Sequence, residues 1–221
     1  MKILVIAPHM DDEVLGMGGT IAKHVDYGDV VYVVIVAHRV YNRVYDPELN
    51  QREKECTEKA KNVLGYKEVK FLNLPDERLD LCVQDILIPL EEYYCQVGPD
   101  VLYTNFKGDN HQDHRAIFEA VRIFARSAAD HRVKKFLMYE VPSATEQSPP
   151  ILESLFMPNF YVNVENFLDR KIQASRCYVT ERRSFPHPRS EEALTILAQR
   201  RGIEAGFKAA EAFMILRDQW D

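Results

Sequence analysis

Two short segments concentrate the residue types that bind metals and move protons. The first is Pro8-His9-Met10-Asp11-Asp12-Glu13, where an imidazole and two adjacent carboxylates follow the apolar run Ile3–Ala7 directly. The second is Asp109-Asn110-His111-Gln112-Asp113-His114, a few residues beyond the apolar run Val101–Thr104. His111 and His114 are three apart, so one helical turn puts both on the same side. A mononuclear catalytic zinc site takes three nitrogen or oxygen ligands and leaves one position for water. His9, Asp12 and one histidine of the second segment meet that count. An ion held there lowers the pKa of water, and a carboxylate outside the ligand set can take the proton. Asp11 is placed for that role. The histidine left over would protonate a leaving amine or stabilise an oxyanion, with Asp113 holding its tautomer. These are the parts of a metal-assisted amide hydrolase.

Whether the two segments meet depends on the elements that carry them. Ile3–Ala7 and Val30–Ala37 are β-branched and aliphatic throughout, as strands buried on both faces of a parallel sheet are. Further strands are expected at Val69–Leu72, Val101–Thr104 and Lys135–Tyr139, with an edge strand at Tyr161–Val164. Helices are expected over Thr20–Tyr27, Gln51–Leu64, Val83–Gln96, His114–Ala125, Asn166–Tyr178 and Ser190–Phe213; Gly28 and Gly65 stop the first two. The alternation predicts an α/β fold: a single-domain, doubly wound (Rossmann-like), mostly parallel sheet with helices on both faces, over residues 1–221. In such a sheet ligands sit beyond the carboxyl ends of the strands, where both segments fall. Gly16, Gly18 and Gly19 do not form G-x-G-x-x-G behind the strand, and no G-K-S/T follows. They are read as letting a helix approach the sheet closely. Val141–Pro150, rich in Pro, Ser, Thr and Glu, reads as a loop at the binding edge.

Charge and composition narrow the function classes. The chain carries 28 Lys and Arg against 34 Asp and Glu, a net charge of −6, which argues against a generic nucleic-acid-binding surface. No apolar run approaches the roughly 20 residues that span a bilayer, and the N-terminal run is too short for the core of a signal peptide. The four cysteines contain no C-x-x-C pair, which fits reduced packing residues in a cytoplasmic protein. His24, His38 and His131 are read as structural. His187, in Pro186-His187-Pro188, is the one further histidine kept as an active-site neighbour.

The two motifs carry a family resemblance. Pro8-His9-Met10-Asp11-Asp12-Glu13 resembles the A/P-H-x-D-D-E motif of the LmbE/PIG-L-type metal-dependent N-deacetylases, and His111-Gln112-Asp113-His114 matches their H-x-D-H motif. The resemblance implies Zn2+ ligation by His9, Asp12 and His114, with Asp11 as general base. It also implies that His111 is the electrostatic or acid partner and that Asp113 orients it. Arg52, in Arg52-x-x-Glu55, and Asp76, in Leu74-Pro75-Asp76, lie near family positions that hold substrate. Arg201-Gly202 through Ala210-Glu211-Ala212-Phe213 is similar to a C-terminal signature of the family. The middle residue of each motif, often proline there, is Met10 and Gln112 here, which bears on loop shape rather than on activity. The implied substrate is a small N-acetylated amino sugar (N-acetylglucosamine-like) or its conjugate, and homo-oligomers are common in the family. Zinc is the default metal, although a His₂Asp set accepts Fe2+ as well. Two further readings stand beside this one: an amidase for another amide, such as a thiol conjugate, and a non-catalytic sugar- or nucleotide-binding α/β module.

Overall fold

The computed structural model describes residues 1–41, 43–129 and 131–220. Its strands are β1 (Lys2–Ala7), β2 (Val30–Ala37), β3 (Val40–Tyr41), β4 (Val44–Tyr45), β5 (Glu68–Leu74), β6 (Val101–Asn105), β7 (Lys135–Tyr139), β8 (Phe160–Asn163) and β9 (Ala210–Asp218). Its helices are α1 (Asp12–Asp26), α2 (Pro47–Leu64), α3 (Val83–Val97), α4 (Gln112–Phe124), α5 (Leu168–Ser175) and α6 (Glu191–Ala205). One seven-stranded sheet has the order β5-β2-β1-β6-β7-β9-β8, and β3 and β4 form a small separate hairpin. Strands β5, β2, β1, β6 and β7 run parallel, whereas β9 is antiparallel to both β7 and β8.

This order explains how distant motifs meet. The chain winds outward from β1 through β2 to β5, then returns to the other side of β1 to lay down β6 and β7. The winding reverses between β1 and β6, and a crevice opens at that switch point beyond the strand ends. The His9 segment leaves β1 and the His111 segment leaves β6, so both arrive at the crevice.

The strand pattern also fixes the two cores. Ile3, Val5, Ala7, Val31 and Val33 point to one face, against Met17 and Ile21 of α1, Ala60 and Leu64 of α2 and Ala174 of α5. Leu4, Ile6, Val34 and Val36 point to the other, against Ile86 and Leu90 of α3 and Ile117 and Val121 of α4. No helix among the described residues is long and apolar enough to cross a membrane.

Three elements depart from the expectation. First, α1 begins at Asp12 rather than Thr20, because the glycine stretch is helical except at Met17 (φ −147°, ψ 25°). The buried Glu211 carboxylate holds that break by accepting from the amides of Gly19 (3.0 Å) and Thr20 (2.6 Å) and from Lys171 Nζ (2.7 Å). Second, α2 starts earlier, at Pro47, where the Asp46 carboxylate caps the Leu49 amide. Third, Ser190–Phe213 is not one helix. Gly206, at φ 77°, ends α6 in the left-handed conformation that favours glycine, and Ala210–Asp218 becomes β9 instead. This stretch satisfies its backbone against β7 from Phe213 to Asp218, and against β8 from Ala210 to Phe213, rather than along a helix.

Gly16 packs α1 closely against the sheet, at the carboxyl end of β7, as the sequence suggests. A Cβ there would lie 2.3 Å from Tyr139 Cδ2 and 2.8 Å from the Glu140 carbonyl oxygen. Gly16→Ala is therefore expected to lower stability by about 1–3 kcal/mol, read as a fall in the denaturation midpoint. An unchanged midpoint would show that the contact is not tight.

Candidate metal and catalytic centre

Three side-chain atoms converge at the crevice. His9 Nδ1 lies 3.3 Å from His114 Nε2 and 3.4 Å from Asp12 Oδ2, and His114 Nε2 lies 3.3 Å from Asp12 Oδ2. All three residues are buried. A tetrahedral zinc ion bonded at its usual lengths requires ligand atoms about 3.3–3.4 Å apart, so the triangle fits the ion without adjustment. An ion held there would keep one position open for water or substrate.

Each of the three side chains is held from behind. His114 Nδ1 bonds Asp109 Oδ2 at 2.7 Å, and His9 Nε2 bonds Asp76 Oδ1 at 2.9 Å. Such carboxylate–histidine pairs fix the tautomer and orientation of a ligating ring. Asp12 Oδ2 also accepts from the His9 amide at 3.0 Å, which closes the turn from β1 into α1. Burial works against a charged His9. The hydrogen-bonding carboxylates of Asp113, Asp12 and Asp76 outweigh it, and the ring's pKa is raised well above its ordinary value. A cluster this rich in carboxylates attracts cations. His9, Asp76, His111 and Asp113 make a second group with metal-ligand spacing. However, its carboxylates are already occupied: Asp76 accepts from the amides of Val40 and Glu77, and Asp113 from those of Glu77 and Leu79.

Asp11 stands beside the triangle but outside it. It is 1% exposed and adopts φ 112°, a left-handed conformation that costs a non-glycine residue about 1–3 kcal/mol. Its neighbours hold it there: the Asp11 carbonyl accepts from the amides of Val14 and Leu15, and Glu13 Oε2 accepts from the Asp11 amide at 3.3 Å. Glu13 is itself buried and takes the Tyr178 hydroxyl, which gives the last residue of the first motif a structural role. Arg39 Nη2 lies 2.8 Å from Asp11 Oδ1, and Arg189 Nη1 lies 3.1 Å from Oδ2. Burial raises the Asp11 pKa and the two guanidinium groups pull it back, leaving it at about 6.

His111 caps α4, its Nδ1 accepting from the Asp113 amide at 3.2 Å. An accepting Nδ1 places the ring proton of neutral imidazole on Nε2. The ring lies 4.8 Å from that of His9 and 5.1 Å from that of His114, centre to centre. His111 thus presents a donor beside the metal triangle.

Two expected roles are redistributed. Asp113 is expected to orient His111, and the contact it makes with that ring is through its backbone amide. The carboxylate instead pins the 77–79 turn and sits 3.5 Å from His9 Nε2. Asp76 reaches the site as a support for His9, with both oxygens engaged. Arg52 does not come to the site: α2 turns Glu53, Cys56 and Ala60 inward, which leaves Arg52 on the exposed face. The arginines bonded to Asp11 are Arg39 and Arg189. His187 does not line the cavity, but its Nδ1 accepts from the Arg189 amide and shapes that arginine's loop. A small cavity of about 100 Å³ lies over the triangle, lined by His9, His111, His114, Asn110, Ser143 and Ala144 among others. Arg189 also borders a second cavity of about 400 Å³, which opens onto Asp11.

Comparison with known proteins agrees with the motifs. The family model described as "PIG-L: GlcNAc-PI de-N-acetylase" matches residues 4–125. The uncharacterized deacetylase YaiS of Escherichia coli K12 is 30% identical over 168 residues, covering 73% of this chain and 86% of that protein. The diacetylchitobiose deacetylase of Thermococcus kodakarensis is 24% identical over 190 residues, 81% and 70% of the two chains. The fold is shared with the crystal structure of GalB, the 4-carboxy-2-hydroxymuconate hydratase of a Pseudomonas, at a TM-score of 0.77 and 20% identity over 100% and 98% of the chains. With its motifs assembled at the switch point and the family model spanning β1 to the end of α4, this chain belongs to the PIG-L family of deacetylases.

Proposed function

We propose that this protein is a zinc-dependent N-deacetylase that removes acetyl from an N-acetylglucosamine-like amino sugar or its conjugate. The observation that carries the proposal is the triangle of His9, Asp12 and His114 with Asp11 beside it, in a chain of the PIG-L family. The fold by itself serves a hydratase too, so it does not choose the reaction. Diacetylchitobiose, named for a relative, supplies the sugar class.

His9, Asp12 and His114 would hold the ion, which supplies Lewis-acid polarisation of the amide carbonyl and acidifies water. Asp11 takes the proton of the attacking water, Arg39 and Arg189 fixing the direction of its carboxylate. The Nε2–H of His111 donates to the carbonyl oxygen as that oxygen becomes anionic. Asp11 then returns its proton to the departing amine. The cavity of about 400 Å³ falls within the usual size of small-molecule sites, about 300–1,000 Å³, and receives the sugar.

The test is acetate release from N-acetylglucosamine, diacetylchitobiose and N-acetylglucosaminyl phosphatidylinositol, set beside an N-acyl thiol conjugate. Zinc-dependent release from one or more of the sugars is expected. Cleavage of the thiol conjugate alone would replace the sugar reading with that of a different amidase. Release of nothing by a zinc-loaded protein would remove the deacetylase reading.

A further inference from the structure

His114 is tied through Asp109 to Thr145, a residue outside both segments, in the roof of the cavity. Asp109 is fully buried, and its two oxygens have separate partners. Oδ2 bonds His114 Nδ1 at 2.7 Å, and Oδ1 accepts from the Thr145 hydroxyl. The Thr145 hydroxyl oxygen in turn accepts from the Val141 amide at 2.8 Å. Val141 and Thr145 are the two ends of a tight turn, in which the amides of Ala144 and Thr145 both donate to the Val141 carbonyl. Ser143 in this turn is held at φ 76°, and its hydroxyl accepts from Arg189 Nε at 2.7 Å. The Ala144 carbonyl accepts from the Asn110 amide at 3.3 Å. Ser143 and Ala144 face the metal ligands across the small cavity.

We infer that Thr145 is a positioning residue for the metal centre: through Asp109 it sets the orientation of His114, and it joins metal occupancy to closure of the 141–145 turn. The inference rests on the metal reading above and extends it to a residue beyond the 4–125 stretch that the family model matches. Without the hydroxyl, Asp109 Oδ1 is a buried acceptor with no partner, a state that is costly and that frees the carboxylate to rotate. The imidazole it steers would lose its fixed tautomer and aim.

The experiment measures zinc affinity by competition with a chelator for wild type, Thr145→Val, Thr145→Ala and Thr145→Ser. Loss of a support bonded directly to a ligand weakens metal binding by about 10–100-fold; Thr145 stands one bond further back, and a loss near the lower end, about 10-fold, is expected for Val and Ala. Serine keeps the hydroxyl and is expected to restore the wild-type affinity to within a few-fold. A purely structural threonine would lower the denaturation midpoint and leave zinc affinity unmoved. Hydrogen exchange on wild type gives an arm that depends on no variant: zinc should slow exchange of the Val141 and Thr145 amides. Valine and alanine variants with wild-type affinity, or exchange at 141–145 that ignores zinc, would overturn the inference while leaving the metal site intact. A wild type that binds no zinc would overturn both.

Discussion

Asp11→Asn is expected to lower kcat on an N-acetyl amino sugar by about 10²–10⁴-fold, the usual worth of a general base, while zinc stays near one per chain. The expectation follows from where Asp11 stands. Its oxygens face Arg39 and Arg189, not the His9–Asp12–His114 triangle, so its removal takes no ligand away. Asparagine keeps the volume and one accepting oxygen for a guanidinium group, but it cannot take a proton from water. It also turns an amide NH₂ toward the second arginine, so some stability is lost, and the denaturation midpoint is measured beside the rate. Two results would revise the role. A variant with a tenth or more of the wild-type kcat would show that the proton goes elsewhere. A variant that loses its zinc would show that Asp11 serves the metal turn rather than the reaction.

Much of this arrangement is legible in the sequence, for a physical reason. His9, Asp11 and Asp12 lie within four residues of one another at the end of a strand, and His111 and His114 within one helical turn. Local spacing therefore carries their geometry, and the alternation of strands and helices carries the switch point that joins them. Arg39 and Arg189 are not legible. They reach Asp11 from 28 and 178 residues away, along loops whose path depends on the finished fold. Arg52 is misplaced because a single residue is matched there to a family position across a loop of uncertain length. The apolar stripe Cys56, Ala60 and Leu64, which the sequence does show, sets the phase of α2 and turns Arg52 outward. The C-terminal stretch shows the same limit. Its Arg201 and Glu211 stand out as parts of a signature, yet Glu211 lies on a strand, where it caps the broken α1. Arg201 forks onto both oxygens of Glu140, at 2.7 Å each, next to the turn that roofs the metal cavity. These residues build the site from outside it, and pairings of that range are invisible to periodicity.

Asp12→Ala carries the other large expectation: zinc content falls from near one per chain to near zero, and acetate release stops. Asp12 brings the only anionic ligand to the triangle, and its Oδ2 also anchors the His9 amide. Its loss therefore removes charge, one bond to the ion and the alignment of a second ligand together. Thermal denaturation adds an independent reading. Free zinc at a hundred times its Kd stabilises the folded chain by about 2.7 kcal/mol, which for a chain of this size raises Tm by about 5–11 °C. Wild type should show that rise and the alanine variant should not. Should the variant keep stoichiometric zinc, the ion must sit in the neighbouring group of His9, Asp76, His111 and Asp113. Asp76→Ala would then be the substitution that empties the protein. Because His9 contributes Nδ1 to one group and Nε2 to the other, the pair of variants separates them by which nitrogen the metal uses. If the ion belongs to the triangle, Nε2 remains with Asp76 as a support, and Asp76→Ala weakens zinc binding by about 10–100-fold without abolishing it.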